Sequence, residues 1–249
     1  MNTPLLSLRK IRLTLPSKQQ PLLDELSLDV FQGDFITLVG SNGCGKSSLI
    51  KIINGLFYPA KGDLLFNGQS LLQHRIYRRA RDVITLTQDL NLTTFSELTV
   101  LENCLIALHR NKKVSLSFTK RTEKDQIRAY LESYNPVLCD KLHERVSSLS
   151  GGERQTLALA MSLWNTPKLL LLDEHTSALD PQMAQKIMEL TYRAAKQNHV
   201  TVIAVTHRLN DALAYGNRLL MMKQGKIVLD LEDKSEWTEE MLFSLYLKG

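Results

Sequence analysis

Long apolar runs are missing from this chain. None of its 249 residues sits in a stretch near the ~20 that a bilayer span requires, so no membrane-spanning helix is expected. Cysteine is scarce: Cys44, Cys104 and Cys139 lie far apart, without metal-ligand spacing. That removes a disulfide scaffold and a zinc site, and the three read as free thiols in a reducing cytosol. Aromatic residues make up 6% of the chain and do not interleave with its basic clusters, His74–Arg81 and Lys112–Lys124. Without that interleaving there is no stacking platform, and no nucleic acid is expected as a partner. Neither sign of charge dominates, with 31 Lys and Arg against 26 Asp and Glu. The clusters read as solvated faces, or as attraction toward an anionic membrane surface or an acidic partner. The opening Met1–Lys10 lacks the apolar core of a signal peptide, and no segment repeats.

What the chain does have is 43% hydrophobic and 23% charged residues, ordinary for one large globular domain, or one with an insertion. Its most informative feature is Gly40-Ser41-Asn42-Gly43-Cys44-Gly45-Lys46-Ser47, followed by Ser48. An apolar strand, Asp34–Val39, precedes it, and a helix with Leu49, Ile50, Ile52 and Ile53 follows and ends at Gly55. Strand, glycine loop and helix in that order make a phosphate-binding loop. Glycines let consecutive backbone N–H groups curl around a phosphate, and the helix N-terminus adds a favourable dipole. Lys46 is expected to reach the β- and γ-phosphates of a nucleotide and Ser47 to ligate Mg²⁺.

Around this loop the chain alternates strand and helix. Strands are expected at Leu6–Leu15 (broken at Pro16), Leu26–Val30, Asp63–Gly68 with an Asn-Gly turn, Val83–Thr87, Leu169–Leu172, Val200–Val205 and Arg218–Met222, with a helix over Pro181–Gln197. Between 89 and 148 helical periodicity takes over. Thr99-Val-Leu-Glu102 is a capping box, and a charged helix over Thr122–Tyr134 stops before Pro136. We therefore expect a single domain over 1–249. Residues 1–88 and 165–249 form an α/β core with a parallel-rich sheet and an N-terminal antiparallel β subdomain, and 89–164 a helical insertion.

Two further motifs carry chemistry. Leu169-Leu-Leu-Leu172-Asp173-Glu174 delivers two carboxylates at the end of a strand buried on both faces. In P-loop ATPases the first such Asp holds Mg²⁺, and the second carboxylate activates the attacking water. In Leu149-Ser150-Gly151-Gly152-Glu153-Arg154-Gln155, Ser150 and Glu153 form a capping box. The two glycines opening that helix cost about 1 kcal/mol each relative to Ala, which we read as close approach of an anionic ligand to a free helix N-terminus.

The phosphate loop, Gln88, Leu149–Gln155, Leu169–Glu174, Ser177–Asp180 and Thr206-His207 stand in the order found in ATP-binding cassette ATPases, which the chain resembles from about residue 5 to 231. The resemblance implies a P-loop NTPase core and a head-to-tail homodimer with two ATP molecules at the interface. Lys46 and Ser47 of one subunit would face Ser150, Gly151 and Gly152 of the other across the γ-phosphate. Glu174 would be the general base and His207 the switch contacting the γ-phosphate. Gln88 would sense Mg²⁺ and the attacking water, and Asp180 would communicate across the dimer. The position of His207 just past an apolar strand, beside the other strand ends, agrees with that role.

The chain departs from the family in two places. Leu13-Thr-Leu15-Pro16 stands where relatives carry an aromatic that stacks on adenine, and no aromatic occurs before Phe31. Weaker discrimination of adenine is therefore expected. Asp173-Glu174-His175-Thr176 replaces the Pro that most relatives have after the Glu. It resembles a subgroup of bacterial uptake ATPases, some of which handle aromatic amino acids; for His175 itself a structural role is expected. The resemblance implies the energy-coupling subunit of a bacterial importer, peripheral on the inner face of the cytoplasmic membrane. Its partners would be a separate permease docked near Gln88 and, indirectly, a periplasmic or lipid-anchored substrate-binding protein. The alternative is a soluble ATPase of the same family without a membrane partner, of the iron–sulphur cluster assembly type. Cys44, inside the loop, is a candidate site at which alkylation would block ATP.

Overall fold

The computed structural model describes residues 3–15, 20–73, 76–110 and 121–247. The first half of the chain forms β1 (Leu6–Leu13), β2 (Leu23–Val30), β3 (Phe35–Gly40), α1 (Lys46–Asn54), β4 (Lys61–Phe66), β5 (Gln69–Ser70), α2 (Ile76–Asp82) and β6 (Val83–Thr87). Helices follow: α3 (Val100–His109), α4 (Arg121–Glu132), α5 (Pro136–Asp140) and α6 (Gly151–Leu163). The alternation then resumes with β7 (Leu169–Asp173), α7 (Pro181–Gln197), β8 (Thr201–Val205), α8 (Leu209–Ala214), β9 (Arg218–Lys223), β10 (Lys226–Leu231) and α9 (Glu239–Leu247). Pro16, His74, Arg75 and most of the Lys112–Lys124 cluster lie outside the described residues.

Two sheets hold the molecule together. One has the order β10-β9-β3-β8-β7-β6, parallel throughout except for β10 at its edge. The other is antiparallel in the order β2-β1-β4-β5. Its β4–β5 turn is the expected Asn-Gly pair, with Asn67 at φ 49° and Gly68 at φ 74°, the left-handed pair a type I′ hairpin needs. Helix α1 fills the space between the sheets, its Leu49, Ile50, Ile52 and Ile53 sharing one core with Leu6, Leu8, Ile36 and Leu38. The α/β core with parallel-rich sheet, antiparallel β subdomain and helical part is the expected one.

Strand β7 explains why its leucines are consecutive. Leu169 and Leu171 belong to the core around α1, while Leu170 and Leu172 belong to the core formed with α6 and α7. Side chains alternate across a strand, so both faces must be apolar. Each leucine buried this way contributes about 2 kcal/mol.

The helical part has its own core: Val100, Leu101, Cys104, Leu108, Ile127, Leu131, Leu138 and Val146 pack on Leu157, Ala160 and Met161 of α6. The opposite side of α6, Ala158, Leu159 and Leu163, packs against the parallel sheet. Helix α6 is therefore buried from Gln155 to Leu163 and joins the two bodies. At the start of α3, the Thr99 hydroxyl accepts from the Glu102 N–H, and the Glu102 carboxylate accepts from the Thr99 N–H. This is the capping box read from the sequence.

Candidate active site

Between β3 and α1 the chain forms a loop that only glycine permits at two points. Gly40 has φ 152°, and a Cβ there would stand 2.2 Å from the Met222 carbonyl oxygen; Gly45 has φ 111°, with a Cβ 2.6 Å from Leu23. Gly45 caps α1 without any side-chain hydrogen bond, so the first N–H groups of the helix have no side chain competing with an anion. Buried Lys46 folds back and donates to the carbonyls of Gly40 at 2.6 Å and Ser41 at 3.1 Å. Asn42 and Gly43 form the exposed tip, and Ser48 lies half-buried beside Ser47.

The strand ends bring the remaining groups to this loop. Ser47 donates to Asp173 at 3.1 Å. Burial pushes the Asp173 carboxyl above the usual carboxylate range, the Ser47 hydrogen bond opposes this, and the Glu174 charge adds to it. A half-buried acid beside a hydroxyl is a place where a cation would be favoured. Ser47 and Asp173 suit Mg²⁺, which takes one or two protein ligands and completes its shell with water and phosphate oxygens. Among the described residues no group of three or more His, Cys, Asp or Glu forms a protein-only metal cage.

Glu174 follows with φ 53°, a left-handed conformation costing about 1–2 kcal/mol for a residue with a Cβ. Its N–H is held by the Val205 carbonyl at 3.2 Å, and its own carbonyl accepts from Ser177. This turn aims the carboxylate at His207, whose Nε2 lies 2.6 Å from Glu174 Oε1. The Gln88 N–H donates to the Asp173 carbonyl at 3.2 Å. Ser47, Gln88, Asp173 and Glu174 together line a cavity of about 500 Å³. One chain thus brings together Lys46, Ser47, Gln88, Asp173, Glu174 and His207.

The Ser150–Gly152 segment is not among the lining of that cavity. Ser150 and Glu153 cap α6 reciprocally, and Lys141 clasps the Glu153 carboxylate at 2.8 and 3.1 Å. Lys141 is the main reason that carboxyl titrates below its usual range. Packing gives one of the two glycines a reason of its own, beside the expected approach of a ligand. Gly152 is buried, and a Cβ there would stand 2.7 Å from the Met183 sulfur, so packing against α7 accounts for it. Gly151 is exposed, with only Leu179 within 4 Å of a Cβ. Asp180 is not brought to the site; it caps α7, accepting from the N–H groups of Gln182 and Met183. Cys44 is buried, and burial raises its thiol pKa, so the expected alkylation is disfavoured on both counts.

Three contacts escaped the sequence reading. Arg154 donates to Thr94 and Asn91, tying the start of α6 to the loop after Gln88. Tyr246 of α9 donates to the Gly40 carbonyl at 3.3 Å. His175 is buried against α7, its Nε2 lying 3.3 Å from Thr191 Oγ1. The Thr191 hydroxyl proton is committed to the Ile187 carbonyl, so His175 Nε2 is the donor. Burial lowers the His175 pKa to about 4, which makes it a neutral structural residue.

Comparison with known proteins identifies the family and the fold. The family model described as ABC transporter matches residues 23–177. The tyrosine transport ATP-binding protein of Clostridioides difficile (strain R20291) is 39% identical over 215 residues, 86% of each chain. The spermidine/putrescine import ATP-binding protein of Legionella pneumophila (strain Philadelphia 1) is 34% identical over 91% of this chain. This chain spans 59% of that relative's length. Among solved structures, cbiO1 from Clostridium perfringens, part of the transporter complex cbiONQ, superposes with a TM-score of 0.79 at 24% identity. The superposition covers 97% of this chain and 94% of cbiO1, and it shows the fold.

His175 sets a pH dependence. Its pKa is lower folded than unfolded, so the unfolded chain binds the extra proton and stability falls as pH drops from about 6.5 toward 4. Between pH 7 and 5 the loss from this residue is about 2 kcal/mol. Urea unfolding at both pH values should show His175→Gln losing that much less than the wild type; equal losses would contradict the assignment.

Proposed function

The chain belongs to the ABC transporter family, and on that premise we propose that it is the ATP-hydrolysing subunit of a bacterial importer. The observation carrying this reading is the Glu174–His207 contact beside the phosphate loop, with Ser47 and Asp173 paired at its floor. The loop binds the triphosphate through its backbone N–H groups and Lys46. Ser47 and Asp173 would hold Mg²⁺, which neutralises phosphate charge when bound. Glu174 takes the proton of the attacking water as general base, and Gln88 orients that water from the cavity wall. His207 holds the Glu174 carboxylate in place and donates toward the γ-phosphate when nucleotide is present.

Ser150, Gly151 and Gly152 lie outside that cavity, and the site is completed by those residues of a second copy, so ATP closes a homodimer. Asp180, at the head of α7, lies at that junction. The helical part, taken as 89–164, receives a permease. The exposed Leu92 and Phe95, 75% and 53% accessible, sit a few residues past Gln88 and offer the apolar contact. No described helix is long and apolar enough to cross a membrane; the translocation path belongs to that permease, with a substrate-binding protein beyond it and this subunit on the cytoplasmic face. The Asp173–Thr176 run and the likeness to a tyrosine transport protein favour an aromatic amino acid as the solute.

Among the described residues no ring is placed to stack on adenine. A cavity of about 770 Å³ beside Gly43 is lined by Pro21, Leu22, Lys223 and Val228, without an aromatic among its lining residues, and Leu15 packs on the core. KM values for ATP and GTP should therefore agree within about threefold; a strong preference for ATP would contradict this. Glu174→Gln should bind ATP as the wild type does while kcat falls by at least about 100-fold. Turnover at the wild-type rate would remove Glu174 from the role of base.

A further inference from the structure

Helix α9 lies across the root of the phosphate loop. Its Leu242 is fully buried among Val39, Leu209, Ala212, Leu219 and Met221, and Val39 directly precedes Gly40. One turn later, the Tyr246 hydroxyl donates to the Gly40 carbonyl at 3.3 Å. The same oxygen accepts from Lys46 Nζ at 2.6 Å. A carbonyl oxygen has two lone pairs, and these two are the side-chain donors that reach it among the described residues. Burial, with Cys44 and Glu174 adding to it, raises the phenol pKa, so the hydroxyl keeps its proton.

The shared acceptor matters when nucleotide arrives. Lys46 must then leave Gly40 and Ser41 to reach the β- and γ-phosphates. The Gly40 carbonyl lies in a buried residue, and losing a donor there is costly unless another remains. We propose that Tyr246 is a positioning residue for nucleotide binding: its hydroxyl keeps the Gly40 carbonyl bonded and the loop in place while Lys46 transfers to the phosphates. The proposal rests on the ATPase reading above. It assigns the C-terminal helix to the site from the far end of the chain.

Tyr246→Phe removes the hydroxyl and keeps the ring. The KM for MgATP should rise about fivefold with kcat unchanged within about twofold, and the unfolding temperature should stay that of the wild type. Binding of AMP, which lacks the β- and γ-phosphates that Lys46 reaches, should be unaffected. A purely packing role for α9 would instead lower the unfolding temperature, or weaken AMP and ATP equally; either result overturns the proposal. So does a variant whose KM matches that of an active wild type, and in that case the ATPase reading stands. A wild-type protein that neither binds nor hydrolyses ATP would overturn both.

Discussion

The parallel ladder fixes every distance in the site. Thr87 pairs with Asp173 and Asp173 with Val205, while Leu38 pairs with Val205 on the other side. Gln88, Glu174, Thr206 and the phosphate loop therefore leave the sheet at one level, and the side chains beyond those ends cannot avoid each other. The ladder holds because β7 is buried on both faces by residues that alternate between two cores. Without that double burial nothing would keep two carboxylates against a lysine-bearing loop.

Electrostatics and strain then set the chemistry. Asp173 is forced into a partly dry position where its charged form is disfavoured, and a cation relieves that cost. Glu174 adopts a left-handed conformation, and the Val205 carbonyl and Ser177 hold it there. Its carboxylate meets His207. Lys46 meanwhile keeps its charge occupied with backbone carbonyls. Each group is held by a protein contact that a nucleotide with its cation and water can replace.

Much of this was legible in the sequence, and for physical reasons. Glycine loops, capping boxes and doubly buried strands leave short-range signatures, so the bounds of β6 and α7 came out at the expected residues and both capping boxes formed. Contacts between distant segments leave none. Helix α9 has apolar side chains all round, with Leu242 buried while Met241 and Phe243 stay exposed, so no amphipathic period marks it. The packing of Gly152 on Met183 is likewise a tertiary fact without a local signature. Asp180 caps α7, a local role open to an Asp that precedes a helix-opening Pro.

On the function proposed above, one chain carries half of each nucleotide site, and its phosphate loop needs the Ser150–Gly152 end of another copy. Sedimentation of the Glu174→Gln variant with saturating MgATP, and again with ADP, tests this most directly. Twice the mass of a single chain is expected with ATP and a single-chain mass with ADP. A variant that binds ATP fully yet stays a single chain would contradict it.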